Sequence, residues 1–423
     1  MSLADFLRSV PTCPVYWWAL VFFAFYPVLS AIVWVTTGLH FYLRRERPAK
    51  DEPDPGRPPQ LDTYPMVSIL IPAYCEEAVI AGSLECVTRI DYPNYEVVVV
   101  DDASTDGTRE AVRPFLESGR VRLIAKERNE GKAMAMNDAL PCTRGEIVLI
   151  MDADASPDPA ILRWIVPHFR SARVAGVTGN PRVHNRETFL AQLQLVEFTS
   201  IVSLLRRAQR IWGRILTMSG VVGAFRKSAL IDVGLYSPEI ATEDIDMTWK
   251  LQRASYDVRY EPRALVWMRV PSTLRGLIIQ RRRWALGLAQ VLRRYARVAV
   301  TWRTRRMWPV FYESTLSILW AYCFVLLTAF WILSYAVGIP PVGVSPIPNW
   351  WGMTIGTLCL IQLVTGVVLD SRYDPTVVKH FPVAVAYPII YWMLMSLITV
   401  FTTPMGLFRR ARPGTVTQWR PQR

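Results

Sequence analysis

Five polar clusters between Tyr74 and Trp284 have residue types and spacings suited to chemistry. Pro72-Ala73-Tyr74-Cys75-Glu76-Glu77 and Asp101-Asp102-Ala103-Ser104-Thr105-Asp106-Gly107 each follow a short β-branched run. At such exits a tyrosine can stack on a heterocyclic base and an acid can accept a hydrogen bond from a base N–H; solvated loop acids are the alternative. No glycine-rich phosphate loop follows either run, so neither a dinucleotide fold nor an ATPase is supported. The third cluster is Asp152-Ala153-Asp154, after the apolar run Ile147–Met151. Alternate residues of a strand share a face, so the two carboxylates are expected to point together. They then repel unless a cation lies between them. Mg2+ or Mn2+ accepts one or two carboxylates plus phosphate oxygens, although the same spacing is common without function.

The fourth cluster, Thr242-Glu243-Asp244-Ile245-Asp246, leads into a helical stretch, Met247–Arg253. In one reading Thr242 caps that helix and the acids complement its dipole. In the other, Asp244 is a general base that deprotonates an acceptor hydroxyl. The fifth is Gln280-Arg281-Arg282-Arg283-Trp284. Snorkelling arginines with an interfacial Trp anchor would produce it. So would an Arg283 that grips a diphosphate beside a Trp284 that stacks on a sugar ring.

The elements that must position these clusters follow from periodicity. Met66–Ile71, Tyr95–Val100, Val121–Ile124 and Ile147–Met151 read as short strands. The helical stretches Ala78–Ile90, Thr108–Leu116 and Lys132–Leu140 lie between them. Alternation of this kind predicts an α/β, doubly wound parallel sheet. Ligands bind beyond the carboxyl ends of its strands, where the acids are.

Around this domain the chain is apolar. Hydrophobic residues make up 51% of its 423 residues, and they concentrate in uncharged stretches: Ser9–Leu43, Ser314–Leu369 and Phe381–Phe408. A bilayer core takes about 20 such residues per helix. The first stretch fits one span and the second fits two, with Gly338–Pro348 as their hairpin. The third fits one span, with Pro388 and Pro404 leaving room for a tilted or re-entrant element. Arg44, Arg45 and Arg47 follow the first stretch, against only Asp5 and Arg8 before it. That excess predicts an outside amino terminus and a cytosolic central domain. The same count leaves a conflict, because three later spans would put Arg409, Arg410, Arg412, Arg420 and Arg423 outside. Phe189–Trp212 and Leu274–Tyr295 mix Leu, Ile and Val with clustered Arg and read as amphipathic helices along the membrane surface, with surface helices packed on the sheet as the alternative. The expected order is a span over 1–43, a Pro-rich linker over 44–65 and a globular domain over 66–271. Interface helices over 272–306, about three spans over 307–408 and a basic tail over 409–423 complete it.

The formal charge of +13 sits in Arg-rich runs beside apolar segments, which favours lipid headgroups and sugar diphosphate over nucleic acid. Six cysteines without a CxxC pair or a nearby His cluster argue against zinc and against a disulfide framework.

Taken in order, the clusters DD, DxD, TED and QxxRW resemble those of the processive family 2 glycosyltransferases, which include cellulose, chitin and hyaluronan synthases. The likeness runs from about Met66 to Tyr295 and extends to the flanking membrane arrangement. It implies a GT-A fold, a UDP-sugar donor, one divalent cation (Mg2+ or Mn2+) and inversion at the anomeric carbon. Carried over by motif, Tyr74, Glu76 and Asp102 hold the uridine, Lys132 lies near the diphosphate, and Asp152 and Glu243 contribute to donor binding. Asp154 ligates the metal and Asp244 is the base. Gln280, Arg283 and Trp284 close over the diphosphate and the acceptor terminus.

Val177–Arg182, Gln209–Ile211, Met218–Val221, Ala224–Arg226 and Ala241–Asp246 narrow the resemblance to bacterial poly-β-1,6-N-acetylglucosamine synthases, inner-membrane enzymes of a biofilm exopolysaccharide. That implies UDP-GlcNAc as donor, a growing polysaccharide as acceptor and export across the membrane. Gram-negative members add a small two-span membrane partner and activation by cyclic di-GMP, and often carry two amino-terminal spans instead of one. Chitin-oligosaccharide or hyaluronan-type synthesis, or transfer of one sugar to a lipid, are the alternatives. Cys75 stands where such proteins commonly carry Asn, and Ala103 where they carry Gly.

Overall fold

The computed structural model describes residues 2–47, 57–339 and 350–408. Part of the expected linker, most of the 338–348 hairpin and the 409–423 tail therefore lie outside the described residues.

An eight-stranded sheet forms the centre, in the order β3-β2-β1-β4-β7-β6-β8-β5. Its first half is the parallel array expected: β1 (Val67–Ala73), β2 (Tyr95–Asp101), β3 (Val121–Ala125) and β4 (Ile147–Met151). Every residue of β1 and β4 is buried, because helices cover both faces. Ile69, Ile71, Val97, Val99 and Leu149 pack on one side. Leu70, Val98, Val100, Val148 and Ile150 pack on the other. The period-2 alternation of a strand thus supplies two cores from one continuous apolar run.

The second half is mixed. β7 (Val222–Arg226) runs antiparallel to both β4 and β6 (Val174–Val183). β8 (Asp257–Met268) is parallel to β6 and antiparallel to the short β5 (Ser156–Pro157). Gly179 in β6 has a steric cause, since a Cβ there would come 2.5 Å from the Ala264 carbonyl oxygen of the neighbouring strand.

Three long apolar helices flank the sheet: Pro14–Phe41, Trp308–Ala336 and Trp350–Asp370. At 28, 29 and 21 residues, each reaches the ~30 Å of a hydrocarbon core. The third apolar stretch, expected as one span or as a tilted or re-entrant element, is interrupted. Pro382 and Pro388 fall in a 3-10 turn (Phe381–Ala386) and a π turn (Tyr387–Tyr391), leaving a helix of 17 residues, Trp392–Phe408. That is about 25 Å, and it packs along the Leu274–Arg294 helix. A Cβ on Gly406 would come 2.6 Å from that of Ala289, so the two backbones need glycine to approach so closely.

Phe189–Trp212 is one helix interrupted by a π turn at Glu197–Val202. It is long and apolar enough to cross a membrane, yet most of it is buried within the protein. One of its arginines, Arg207, points inward to a buried ionic knot. Arg207 Nε donates to Glu46 at 2.6 Å and its Nη1 lies 2.8 Å from Asp370, which Arg182 of β6 also reaches at 2.5 Å. Ser203 donates to Asp370, and Tyr373 to Glu46. The knot brings the ends of two membrane-length helices onto the sheet domain, on one side of the protein.

Candidate active site

The loops leaving β1, β2 and β4 open at the carboxyl edge of the parallel half-sheet, and each is held by backbone-to-side-chain bonds. Cys75 N donates to Ser104 Oγ at 2.9 Å, and Glu76 N to Thr108 Oγ1 at 2.9 Å. Tyr74 and Glu76 are half-buried at this exit. Cys75 (φ 55°) and Ala103 (φ 61°) both occupy the left-handed region. The Asn and Gly seen in the resembling family suit that conformation best, so each departure sits at a backbone position that strains an ordinary side chain.

Asp102 is fully buried. Its carboxylate accepts from Gly131 N at 2.7 Å and Glu130 N at 3.2 Å, and Lys126 lies 3.3 Å away. These amides begin the Gly131–Ala139 helix, whose positive end favours the anion. Asp102 therefore fixes the first turn of the helix that carries Lys132.

Lys132 is the hub. Its ammonium lies 2.5 Å from Asp152 Oδ1 and 3.4 Å from Glu243 Oε1, and donates to the Gly220 carbonyl at 3.3 Å. Burial disfavours its charge, but Asp152 and Glu243 outweigh that and hold the amine protonated beyond the usual lysine range. Gly220 floors the space between acid and amine. A Cβ there would come 3.4 Å from Lys132 Nζ and 3.5 Å from Asp244 Oδ2. Bonds from Met218 N to Thr248 Oγ1 and from Ser219 N to Thr178 Oγ1, each 2.9 Å, set this loop.

Asp244 begins the Glu243–Arg253 helix beside Glu243. Burial first, and the Glu243 charge second, push its carboxyl up to about 6, against the pull of Lys132 and Arg283. A carboxylate poised near neutrality suits proton abstraction. Thr242 is not the side-chain cap that its position suggests: its hydroxyl makes no capping bond and has no partner among the described residues. Asp246 is committed elsewhere, to Ser237 Oγ at 2.7 Å and Tyr295 OH at 2.9 Å.

The Asp152/Asp154 geometry also differs from expectation. The strand stops at Met151, and residues 152–155 form a turn closed by Ala155 N to Asp152 O at 3.1 Å, so strand alternation does not govern the pair. Both carboxylates remain half-buried at the β4 exit. Among the described residues no three His, Cys, Asp or Glu side chains form a cage. One or two carboxylates without a cage is the donor set for a hard cation completed by substrate phosphates, so the residues fit Mg2+ or Mn2+.

The Leu274–Arg294 helix, packed along Trp392–Phe408, closes the site. Gln280, Arg283, Trp284 and Gly287 follow the i, i+3, i+4, i+7 spacing of one helical face. Gly287 meets Thr242 so closely that a Cβ would overlap its hydroxyl, and Ala241 N donates to Gln290 Oε1 at 3.0 Å. The QRRRW segment and the TED loop are thereby one docked unit. Gln280 Oε1 and Arg283 Nε are buried without a hydrogen-bond partner among the described residues, the state expected of groups that wait for a ligand. Trp284 is half-buried against Phe198, ring to ring at 6.4 Å. Gly287 and Gln290 were not singled out from the sequence, and Gly220 entered only within the Met218–Val221 segment. For Gly287 the helical spacing from Gln280 was the available signal.

Lys132, Asp152, Glu243, Asp244 and Arg283 thus form one charged group. Tyr74, Glu76 and Asp102 lie at the exits of the two strands beside it, and Asp154 sits in the turn after Asp152. A profile described as Glycosyltransferase like family 2 matches residues 65–287. The chain is 30% identical over 419 residues to the poly-beta-1,6-N-acetyl-D-glucosamine synthase of Staphylococcus epidermidis, spanning 95% of this chain and 98% of that protein. The enzyme of that name from Staphylococcus aureus is 30% identical over 409 residues, with the same coverage. Among solved structures, the chain resembles the mannosyltransferase PcManGT from Pyrobaculum calidifontis, in complex with GDP-Man and Mn2+. The TM-score is 0.61 at 24% identity, over 91% of this chain and 98% of that one.

Proposed function

Because the chain belongs to glycosyltransferase family 2 and has the GT-A fold, we propose that it extends a β-1,6-linked N-acetylglucosamine polymer from UDP-GlcNAc, with inversion. In this reading the domain faces the cytosol of a bacterial inner membrane. The polymer leaves between the adjoining spans, with a small two-span partner and cyclic di-GMP as regulators. The observation that carries the catalytic part is the docking of the Leu274–Arg294 helix on the TED loop, which sets Arg283 and Asp244 over the space bounded by Lys132 and Gly220. The names of the relatives support the sugar and the linkage.

Tyr74 and Glu76 receive the uridine. Asp102 acts one step back, by holding the helix turn that aims Lys132 at the diphosphate. The acceptor hydroxyl gives its proton to Asp244 as its oxygen bonds the anomeric carbon. The bond from that carbon to the UDP oxygen breaks on the opposite side, and Arg283 donates to the departing diphosphate. Asp154 would hold Mg2+ or Mn2+ with the donor, Asp152, paired with Lys132, would help hold the nucleotide, and the bound ion would supply Lewis-acid neutralisation of the leaving group.

Membranes containing the chain should incorporate label from UDP-GlcNAc into polymer, and EDTA or Asp154→Ala should stop them. Cyclic di-GMP with the native partner should raise the rate. Incorporation that proceeds in EDTA removes the metal. Polymer that requires UDP-glucuronate as a second donor, or a product of one sugar on lipid, replaces the proposed acceptor chemistry.

A further inference from the structure

Arg281 lies within the QRRRW segment but has a different environment from Arg283. It is 1% exposed, and its guanidinium carbon sits 4.0 Å over the Trp284 ring. Its Nη2 donates to Glu197 Oε2 at 2.5 Å, and the Tyr391 hydroxyl donates to the same oxygen at 2.7 Å. Glu197 opens the π turn that interrupts the Phe189–Trp212 helix, and its neighbour Phe198 meets Trp284 edge-on at 83°. Tyr391 closes another π turn, before Trp392–Phe408. Such turns interrupt the regular helical ladder and recur at functional sites. Here two of them deliver a carboxylate and a phenol to one buried arginine.

Stability alone gives no reason for this arrangement. Two charges removed from water repay their desolvation poorly, and apolar side chains of similar volume hold such a position at least as well. What the charged set adds is direction. Glu197 and Tyr391 hold the guanidinium in place, its carbon lies over one face of the indole, and Phe198 meets the ring edge-on. The half-buried Trp284, which also packs on the apolar cluster around Val183, Leu195 and Met268, is thereby held at a fixed angle.

We infer that Glu197, Arg281 and Tyr391 are positioning residues that hold Trp284 for the acceptor end of the polymer, and that the apolar segment around Tyr391 is therefore part of the transfer machinery. This rests on the reading of Trp284 as the acceptor platform. None of the three touches substrate in this account. Their effect is on acceptor engagement, not on the donor or the base.

Two rates on the same purified full-length chain separate these roles: transfer to a β-1,6-linked N-acetylglucosamine oligosaccharide, and UDP release to water without acceptor. Tyr391→Phe and Glu197→Gln should raise the acceptor KM about tenfold, the scale of a lost desolvated cation–π contact. UDP release should stay within about twofold, and Trp284→Ala should raise the acceptor KM further. Arg281→Lys, which keeps the charge but not the planar stack, should fall between wild type and Glu197→Gln. If Trp284→Ala raises the acceptor KM while Tyr391→Phe and Glu197→Gln do not, the positioning role is wrong and the platform reading stands. If Trp284→Ala leaves the acceptor KM unchanged, both fall. Equal loss of the two rates in Tyr391→Phe and Glu197→Gln assigns the cluster to structure alone.

Discussion

Replacing Asp244 with Asn should separate two consequences of its environment. As the proposed base, its loss should lower the transfer rate by about 10²–10⁴-fold, with UDP affinity nearly unchanged. The same substitution should stabilise the fold. The Asp244 carboxyl rises from 3.8 to about 6 in the folded protein, so its charge is disfavoured there by roughly 3 kcal/mol at neutral pH. Partial exposure of the side chain reduces this to about 1–3 kcal/mol. The raised value means that the native state prefers the protonated acid. The penalty is absent below pH 3.8, is about half developed near pH 5 and is complete by pH 8. Asn, neutral throughout, escapes it. Thermal unfolding in detergent should therefore show Asp244→Asn melting a few degrees above wild type at pH 8, with a smaller gap at pH 5. Near-normal polymerisation by the variant would refute the base. A melting point below wild type at pH 8, or a gap independent of pH, would refute the electrostatic account of the site.

The pH profile of kcat/KM should carry an acid limb near 6, because Asp244 must be ionised to accept a proton. Glu243→Gln removes one cause of the elevation and should move that limb to lower pH. Gly287→Ala should press a methyl into Thr242 and undock the QRRRW helix from the TED loop, costing about 1–3 kcal/mol of stability and most of the activity while the protein still inserts in membranes; wild-type turnover would contradict the docking. Ala103→Gly should relieve the positive φ at the β2 exit and stabilise by roughly 1 kcal/mol, read as a higher melting point with activity retained.

Local chemistry was readable where it coincided with local pattern. The apolar runs of β1, β2 and β4 gave the parallel half-sheet, and the carboxyl-edge rule led to Asp102 and Asp152, whereas Lys132 came only from the family resemblance and Asp244 from the acidic cluster before a helical stretch. β6 escaped notice because Gly176, Gly179 and Pro181 break strand alternation, and β8 because Pro262 interrupts an otherwise alternating but charge-rich run, Asp257–Glu261. Burial between neighbouring strands overrides those propensities. The inward turn of Arg182 and Arg207 toward Asp370 and Glu46 joins residues about 160–190 positions apart in sequence, which no window reveals. Asp102 reads as a ligand contact on its strand exit and as a helix anchor only once Gly131 is folded beside it. Breaks at Pro382 and Pro388 shorten the last apolar stretch more than its composition suggests. Cys75 and Ala103 look like neutral departures until their backbone angles are known.

The central claim is that this chain polymerises N-acetylglucosamine through β-1,6 linkages. Its most direct test is the product that membranes bearing the chain form from labelled UDP-GlcNAc, digested with a β-1,6-specific hexosaminidase or with chitinase. Long labelled polymer that the hexosaminidase degrades and chitinase spares is the predicted result. Polymer cut by chitinase instead would contradict the linkage, and membranes that bind UDP but form no polymer from this donor would contradict the proposed donor itself.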